Sequence, residues 1–242
     1  MENYLNLLYN IFIVDDRYML LVNGLIFTLG VTFVAAVIGI ILGMLLSIMM
    51  IADLRPFKSI KSQKLAFLRN FNPVAKIALV YITVIRGTPT VVQLFILANV
   101  IFIGSLKNTP IFVTASLAFG LNSAAYVAEI IRAGIQGLDK GQLEAARALG
   151  MSYKLSMRVV VIPQAVKKIM PALVSEFIVL LKETSVVSMI GGVDLTFAAK
   201  SIISVTYRAA EPWIVVALIY LALITIFTYF MRKIEKRLRE SD

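Results

Sequence analysis

The chain has 242 residues, 60% of them hydrophobic and 16% charged, with a mean hydropathy of +0.88. A soluble domain is about half apolar and about a quarter charged, so this composition argues against a water-soluble globule. Cys and His are both absent, which removes disulfides, thiol nucleophiles, histidine bases and zinc or haem sites built on those ligands; the net charge of +10 fits Lys and Arg facing an anionic membrane leaflet and needs no nucleic acid.

A bilayer core about 30 Å thick takes roughly 20 apolar residues as helix. Met1 to Val14 reads as an interfacial amphipathic segment; Glu2, Asp15 and Asp16 replace the basic start of a cleaved signal peptide. The first span, about 18–52, is charge-free between Arg17 and Asp53, and its Gly39 and Gly43 suggest close helix packing. The second, 77–106, is an apolar helix up to Arg86 and then a charge-free run from Gly87 to Leu106. The third, 108–131, follows Lys107 and stays uncharged to Ala128. The fourth, 167–190, is apolar but interrupted by Glu176, Lys182 and Glu183. The fifth, 212–232, opens with Pro212 in its first turn and Trp213 as an interfacial anchor. No internal repeat or low-complexity tract stands out, so residues 1–242 are expected to form a single transmembrane domain.

Most of the 24 Lys and Arg fall on one side of these spans. Arg55, Lys58, Lys61, Lys64, Arg69 and Lys76 lie between the first and second; Arg132, Lys140, Arg147, Lys154, Arg158, Lys167 and Lys168 lie between the third and fourth; Arg232, Lys233, Lys236, Arg237 and Arg239 follow the fifth. Only Arg17, Lys107, Lys200 and Arg208 fall opposite. The positive-inside rule then puts the amino end outside and the carboxyl end in the cytoplasm. The fourth span is needed for this sorting. The expected fold is therefore all-α and integral to the membrane, with five transmembrane helices.

Between the third and fourth spans, residues 137–163 read as two short helices with a bend. Asp139 can cap the first, with Gln142 reaching back as in a capping box. Glu144, Ala145, Ala146, Arg147, Ala148 and Leu149 are good helix residues on balance, and Gly150 suits a left-handed terminus. Ser152 can cap a second helix from Tyr153 to Val161, which Pro163 should stop. The alanines leave a surface that another protein can approach closely, and Glu144 and Arg147 add one charge of each sign. The same residues also fit a solvated connector with an ordinary glycine cap.

The pattern Glu144-Ala-Ala-x-x-x-Gly150 followed by Val160-Val-Ile-Pro163 resembles the EAA loop of ABC-transporter permease subunits. Arg86-Gly-Thr-Pro-Thr-Val-Val-Gln93-Leu-Phe, the stretch from Leu121-Asn-Ser through Tyr126, Glu129 and Arg132, and Pro171-Ala-Leu through Leu181-Lys-Glu-Thr-Ser-Val186 resemble the polar amino acid uptake branch of that family. The family often has Gly where Ala124 stands and Leu where Val186 stands, and the linker between the first two spans is long. The resemblance covers nearly the whole chain. It implies a type I importer permease fold and a second permease chain, identical or related. It also implies two ATPase subunits docked on Glu144, Ala145, Ala146, Arg147, Leu149, Gly150 and Met151, and an extracytoplasmic binding protein that delivers a polar amino acid. ATP and Mg would be held by the ATPases. This chain has no Gly-x-x-x-x-Gly-Lys-Ser/Thr phosphate loop of its own.

An amino acid carries both charges, and a path for it would offer acids, a base and amides inside the bundle. Asn122, Tyr126 and Glu129 share one helical face; Glu176 and Glu183 share another, with Lys182 beside them and Gln93 in the second span. These seven are the candidate pathway residues. Each has a structural alternative. Glu129 with Arg132 fits a surface pair at the end of a span, Lys182 and Glu183 fit snorkelling to the interface, Arg86 fits an inner-interface anchor, and Asn122 and Glu176 fit interhelical hydrogen bonding. Two other functions compete. An ion-coupled secondary carrier would explain the buried charges but not the loop, and no inverted repeat is visible. A membrane scaffold docking a soluble partner would explain the loop but not the polar helix faces.

Overall fold

The computed structural model describes residues 2–52, 56, 71–102 and 108–239. Arg55, Lys58, Lys61, Lys64, Arg69 and Lys107, and the end of the expected second span, lie outside the described residues. Among the described residues there are ten α-helices and no strand.

Helix α1 covers Glu2–Phe12 and α2 covers Tyr18–Ile51. Between them Asp15 and Asp16 take positive φ, and Arg17 bridges back to Asp15 (2.7 Å) and the Asn10 carbonyl. α3 is Pro73–Arg86; Asn72 caps it by accepting from the Ala75 N–H, and Pro73 occupies the first turn, where its missing N–H costs nothing. The helix stops at Gly87-Thr88-Pro89, because a proline disfavours helical backbone in the residue before it. α4, Thr90–Ile96, follows and ends in a π turn over Leu97–Ile101. The expected second span is therefore two helices.

α5 spans Ile111–Gln136, α6 Lys140–Ala148, α7 Tyr153–Ser156 and α8 Ile162–Glu183, the last running into a 3₁₀ segment over Thr184–Ile190. Pro163 does not terminate the helix before it. A π turn over Met157–Val161 bridges α7 to α8, with the Ile162 N–H bonded to the Met157 carbonyl. The extra residue in that turn relieves the clash a proline ring makes with the carbonyl four residues back. α9, Leu195–Thr206, has no counterpart in the expected spans; Asp194 caps it. α10 runs from Ala210 to Arg239.

Among the described residues, three helical segments are long and apolar enough to cross a bilayer: Val14–Ile51, Ile111–Gln136 and Ala210–Arg237; the pair α3–α4 makes a fourth if it is one broken span. α8 is long enough, but Lys167, Lys168, Glu176, Lys182 and Glu183 keep it outside that set.

The contacts divide the chain into two compact units. The first comprises 1–37, 90–120 and 174–242. One of its cores joins Val31, Leu94, Ala115, Phe119, Leu180 and Val187; another joins Ile11 of α1 and Leu21 of α2 to Leu195, Ala198 and Ile202 of α9 and Val216 of α10. The second comprises 38–89 and 121–173, with Ile82, Ala125 and Ala128 packed against Leu46, Met50, Tyr81 and Ile85. Here the expectation for Gly39 and Gly43 holds. A Cβ on Gly39 would stand 3.0 Å from the Ser123 side chain, and one on Gly43 2.6 Å from Val127 Cγ1. Small residues let α2 and α5 touch backbone to side chain, the way helices associate in lipid. The Tyr81 hydroxyl ties α3 to α5 by donating to the Leu121 carbonyl at 2.7 Å.

Several polar side chains are buried beside these cores, while large apolar ones face outward. Thr28, Thr32, Ser116, Asn122 and Ser123 are buried, while Ile26, Phe33 and Ile48 of α2 and Ile214, Leu218 and Leu221 of α10 are exposed. Helices in hydrocarbon turn apolar side chains to the lipid and gather their polar ones within.

Candidate functional site

The loop after α5 forms by local rules. Asp139 Oδ1 accepts from the Gly141 N–H at 2.9 Å and starts α6. Gln142 does not complete a capping box. Its amide oxygen instead accepts from Gln164 Nε2 at 3.2 Å. α6 ends at Gly150, whose φ is +82°. The Met151 N–H reaches the Ala146 carbonyl (3.2 Å) and the Gly150 N–H the Arg147 carbonyl (3.1 Å). That nested pair is the Schellman terminus, which needs a left-handed residue and so favours glycine. Arg147 Nη1 also donates to the Met151 carbonyl at 3.0 Å, clamping the turn. Ser152 then caps α7 by accepting from the Leu155 N–H.

Within this loop Ala146 is buried and Glu144, Ala145, Arg147 and Gly150 are exposed, with Met151 partly covered. Leu149 is 82% exposed, an apolar side chain held out at the tip of α6. The base of the loop is braced. Lys168 Nζ of α8 donates to the Gly137 carbonyl at 2.6 Å, just past the end of α5, and Gly134 of α5 packs directly on Ile169. Sequence reading did not find these braces, because they join residues far apart in the chain.

The seven pathway candidates separate between the two units. Gln93, Glu176, Lys182 and Glu183 lie in the first. Gln93, Glu176 and Glu183 are half-buried and Lys182 is exposed, and Glu183 accepts a hydrogen bond from the Thr90 hydroxyl. Asn122, Tyr126 and Glu129 lie in the second, where Asn122 is buried. Glu129 is gripped by Arg132, whose Nε donates to Oε2 at 2.9 Å and whose Nη2 donates to Oε1. Arg86 stands 4.0 Å from Glu129 Oε1, with its guanidinium 5.3 Å from the centre of the Tyr126 ring. Arg86, Glu129 and Arg132 line a cavity of about 570 Å³ together with Met50, Leu79, Ile82, Thr83 and Gly87. Arg86 is thus part of a charged cluster rather than a lone anchor.

Asp194 was also unanticipated. It is fully buried, and its Oδ1 accepts from the Phe197 N–H at 2.8 Å while the Thr196 hydroxyl lies 3.0 Å away. Burial pushes its carboxyl above the usual range, against the opposing pull of the Phe197 and Thr196 hydrogen bonds. The only hint in the sequence is an Asp just after Gly191-Gly192 and just before an apolar helix.

Residues 65–240 match the family described as the binding-protein-dependent transport system inner membrane component. The chain belongs to that family. As such a permease it is a multi-pass component of the cytoplasmic membrane and is not itself the ATPase. The permease is 41% identical to the arginine transport system permease protein ArtQ of Bacillus subtilis (strain 168) over 92% of this chain and 94% of that protein. It is 36% identical to a putative glutamine transport system permease protein GlnP of Rickettsia bellii (strain RML369-C), over 93% and 95% of the two chains. A crystal structure of an amino acid ABC transporter with histidines superposes with a TM-score of 0.79 at 45% identity, covering 93% of the permease and 98% of the other chain. The inward-facing MetNI methionine transporter superposes at 0.72 with 17% identity, over 91% and 97% of the two chains, which is likeness of fold alone.

Proposed function

We propose that this permease moves a polar amino acid inward across the cytoplasmic membrane, powered by two ATPase subunits that bind ATP and Mg. It would work as one of a pair of permease chains, with an extracytoplasmic binding protein delivering the substrate. Residues 1–242 would form one permease domain of five spans, with the amino end outside and the carboxyl end in the cytoplasm. The amino acid assignment is supported by the substrates in the names of its relatives. The coupling assignment is carried by one observation: Leu149, 82% exposed, at the end of a rigidly terminated helix in a loop whose base is bolted to α8 by Lys168. Exposing a Leu to water forgoes roughly 1.5–3 kcal/mol of burial, and a docked ATPase would recover it. ATP closing the two ATPases would drag Glu144–Met151 with them, and the Lys168 and Gly134 contacts would pass that movement to α5 and α8. ATP biases the pathway only because the assembly binds it differently in its two states. Gln93, Asn122, Tyr126, Glu129, Glu176, Lys182 and Glu183 are the residues proposed to line the path. The names of its relatives do not favour the ion-coupled carrier or scaffold alternatives.

The test is reconstitution of the permease with candidate ATPase and binding protein in lipid vesicles. Amino-acid-dependent ATP turnover and uptake are expected, and the purified permease alone should hydrolyse no ATP. Turnover by the permease alone, or uptake that runs on an ion gradient without ATP, would overturn the proposal.

A further inference from the structure

We propose that Arg86 is a carboxylate-binding residue, and that with Glu129 it makes a dipolar subsite for the backbone groups of an amino acid in the cavity between α3 and α5. This rests on the amino acid permease reading and adds a residue and a ligand polarity to it. The cavity, about 570 Å³, falls within the 300–1,000 Å³ of small-molecule sites. Its lining combines the apolar Met50, Leu79 and Ile82 with Thr83, Arg86, Glu129 and Arg132.

The three charges differ in how far they are committed. Glu129 and Arg132 form a two-bond fork within α5, and Arg132 also donates to Gln136. That pair is neutral as a unit, and it fixes the carboxylate in place. Arg86 is held differently. Its nearest Glu129 oxygen is 4.0 Å away, beyond hydrogen-bond length. The Tyr126 ring at 5.3 Å steadies its charge through the π face. Its side chain remains 41% exposed. The cluster therefore carries one positive charge in excess, on a planar group built to take a carboxylate through two parallel N–H bonds. An arriving α-carboxylate would neutralise that excess. The α-ammonium beside it would meet Glu129, whose oxygens keep lone pairs beyond those Arg132 uses.

Arg86 also ends α3, and a cation there is favoured by the helix dipole alone. The two roles separate by chemistry. A dipole partner needs only charge, so Arg86→Lys would preserve it. A carboxylate fork needs the planar donors, which Lys lacks.

The experiment measures equilibrium binding of radiolabelled L-glutamine and L-arginine to the purified permease–ATPase complex in neutral detergent, without the binding protein. The carboxamide of each amino acid serves as competitor. In the unsubstituted complex the amino acid should bind roughly ten-fold or more tightly than its carboxamide. Arg86→Met and Arg86→Lys should each bring that ratio towards one, while co-purification with the ATPase stays unchanged. Equal binding of amino acid and carboxamide by the unsubstituted complex, or an unchanged ratio in both variants, would overturn the subsite. Displacement of the amino acid by added phosphatidylglycerol would assign the fork to a lipid phosphate and overturn it too. Failure of the unsubstituted complex to bind either amino acid, together with failure to import them with binding protein present, would instead count against the amino acid reading itself.

Discussion

Replacing Gly150 with Val tests whether the loop works through its backbone shape. Gly150 sits at φ +82°, and beyond its two chain neighbours no atom of the described residues lies within 4 Å of where a Cβ would point. The penalty of a side chain here is therefore conformational and not steric. A left-handed residue costs an L-amino acid with a Cβ about 1–2 kcal/mol, and a β-branched one up to about 3 kcal/mol. The site is exposed, so the chain relieves the strain by abandoning the turn. The bonds from the Met151 and Gly150 N–H groups to Ala146 and Arg147 are lost, and Leu149 is no longer presented at a fixed angle. If docking needs the native turn, its affinity falls by the population lost, from about five-fold at 1 kcal/mol to about 150-fold at 3 kcal/mol. The assay is ATPase co-purification together with substrate-stimulated ATP turnover in vesicles, with membrane insertion measured alongside. Gly150→Asn should stay near the unsubstituted protein, because Asn tolerates left-handed backbone. Gly150→Ala should be intermediate and Gly150→Val worst. Normal docking and uptake with Val would refute the reasoning. So would Asn behaving as badly as Val, since that would make space, and not φ, the requirement.

Two further expectations concern stability. Gly43→Ala places a Cβ 2.6 Å from Val127 Cγ1 and 3.0 Å from the Ala124 carbonyl, so the unfolding midpoint in detergent should drop by the equivalent of about 1–3 kcal/mol. Adding Val127→Ala should recover part of it, and strictly additive losses would show that α2 and α5 do not meet there. At Asp194, the Ala substitution should cost about 1 kcal/mol by removing the cap of α9, whereas Asn keeps the cap. Because its folded-state carboxyl titrates above the unfolded value of about 3.9, this group's contribution to stability is full below that pH and is lost as pH rises through the folded value. Thermal unfolding of the Asp194→Asn protein should lack that decline, and an identical pH profile for the two proteins would remove Asp194 as its source.

The apolar segments at the first, third and fifth expected spans were legible in the sequence, because the requirement behind them is one-dimensional. A helix crossing hydrocarbon needs a long apolar run with few charges, so Tyr18–Ile51, Ile111–Gln136 and much of Ala210–Arg239 can be found by counting. The Gly150 terminus, the Ser152 cap and the Gly39–Gly43 contact surface were legible for a similar reason. Each depends on residues within about one turn of one another.

Tertiary structure alone decided the rest. Pro163 reads as a stop until a π turn makes room for it. Gln142 reads as a cap until Gln164 takes its oxygen. Nothing in the order of residues brings Arg86 beside Tyr126 and Glu129, or Lys168 onto the Gly137 carbonyl. Those pairings follow from how deep and at what angle one helix lies on another. A helix's own periodicity shows which of its residues share a face, but not which residue of another helix stands opposite.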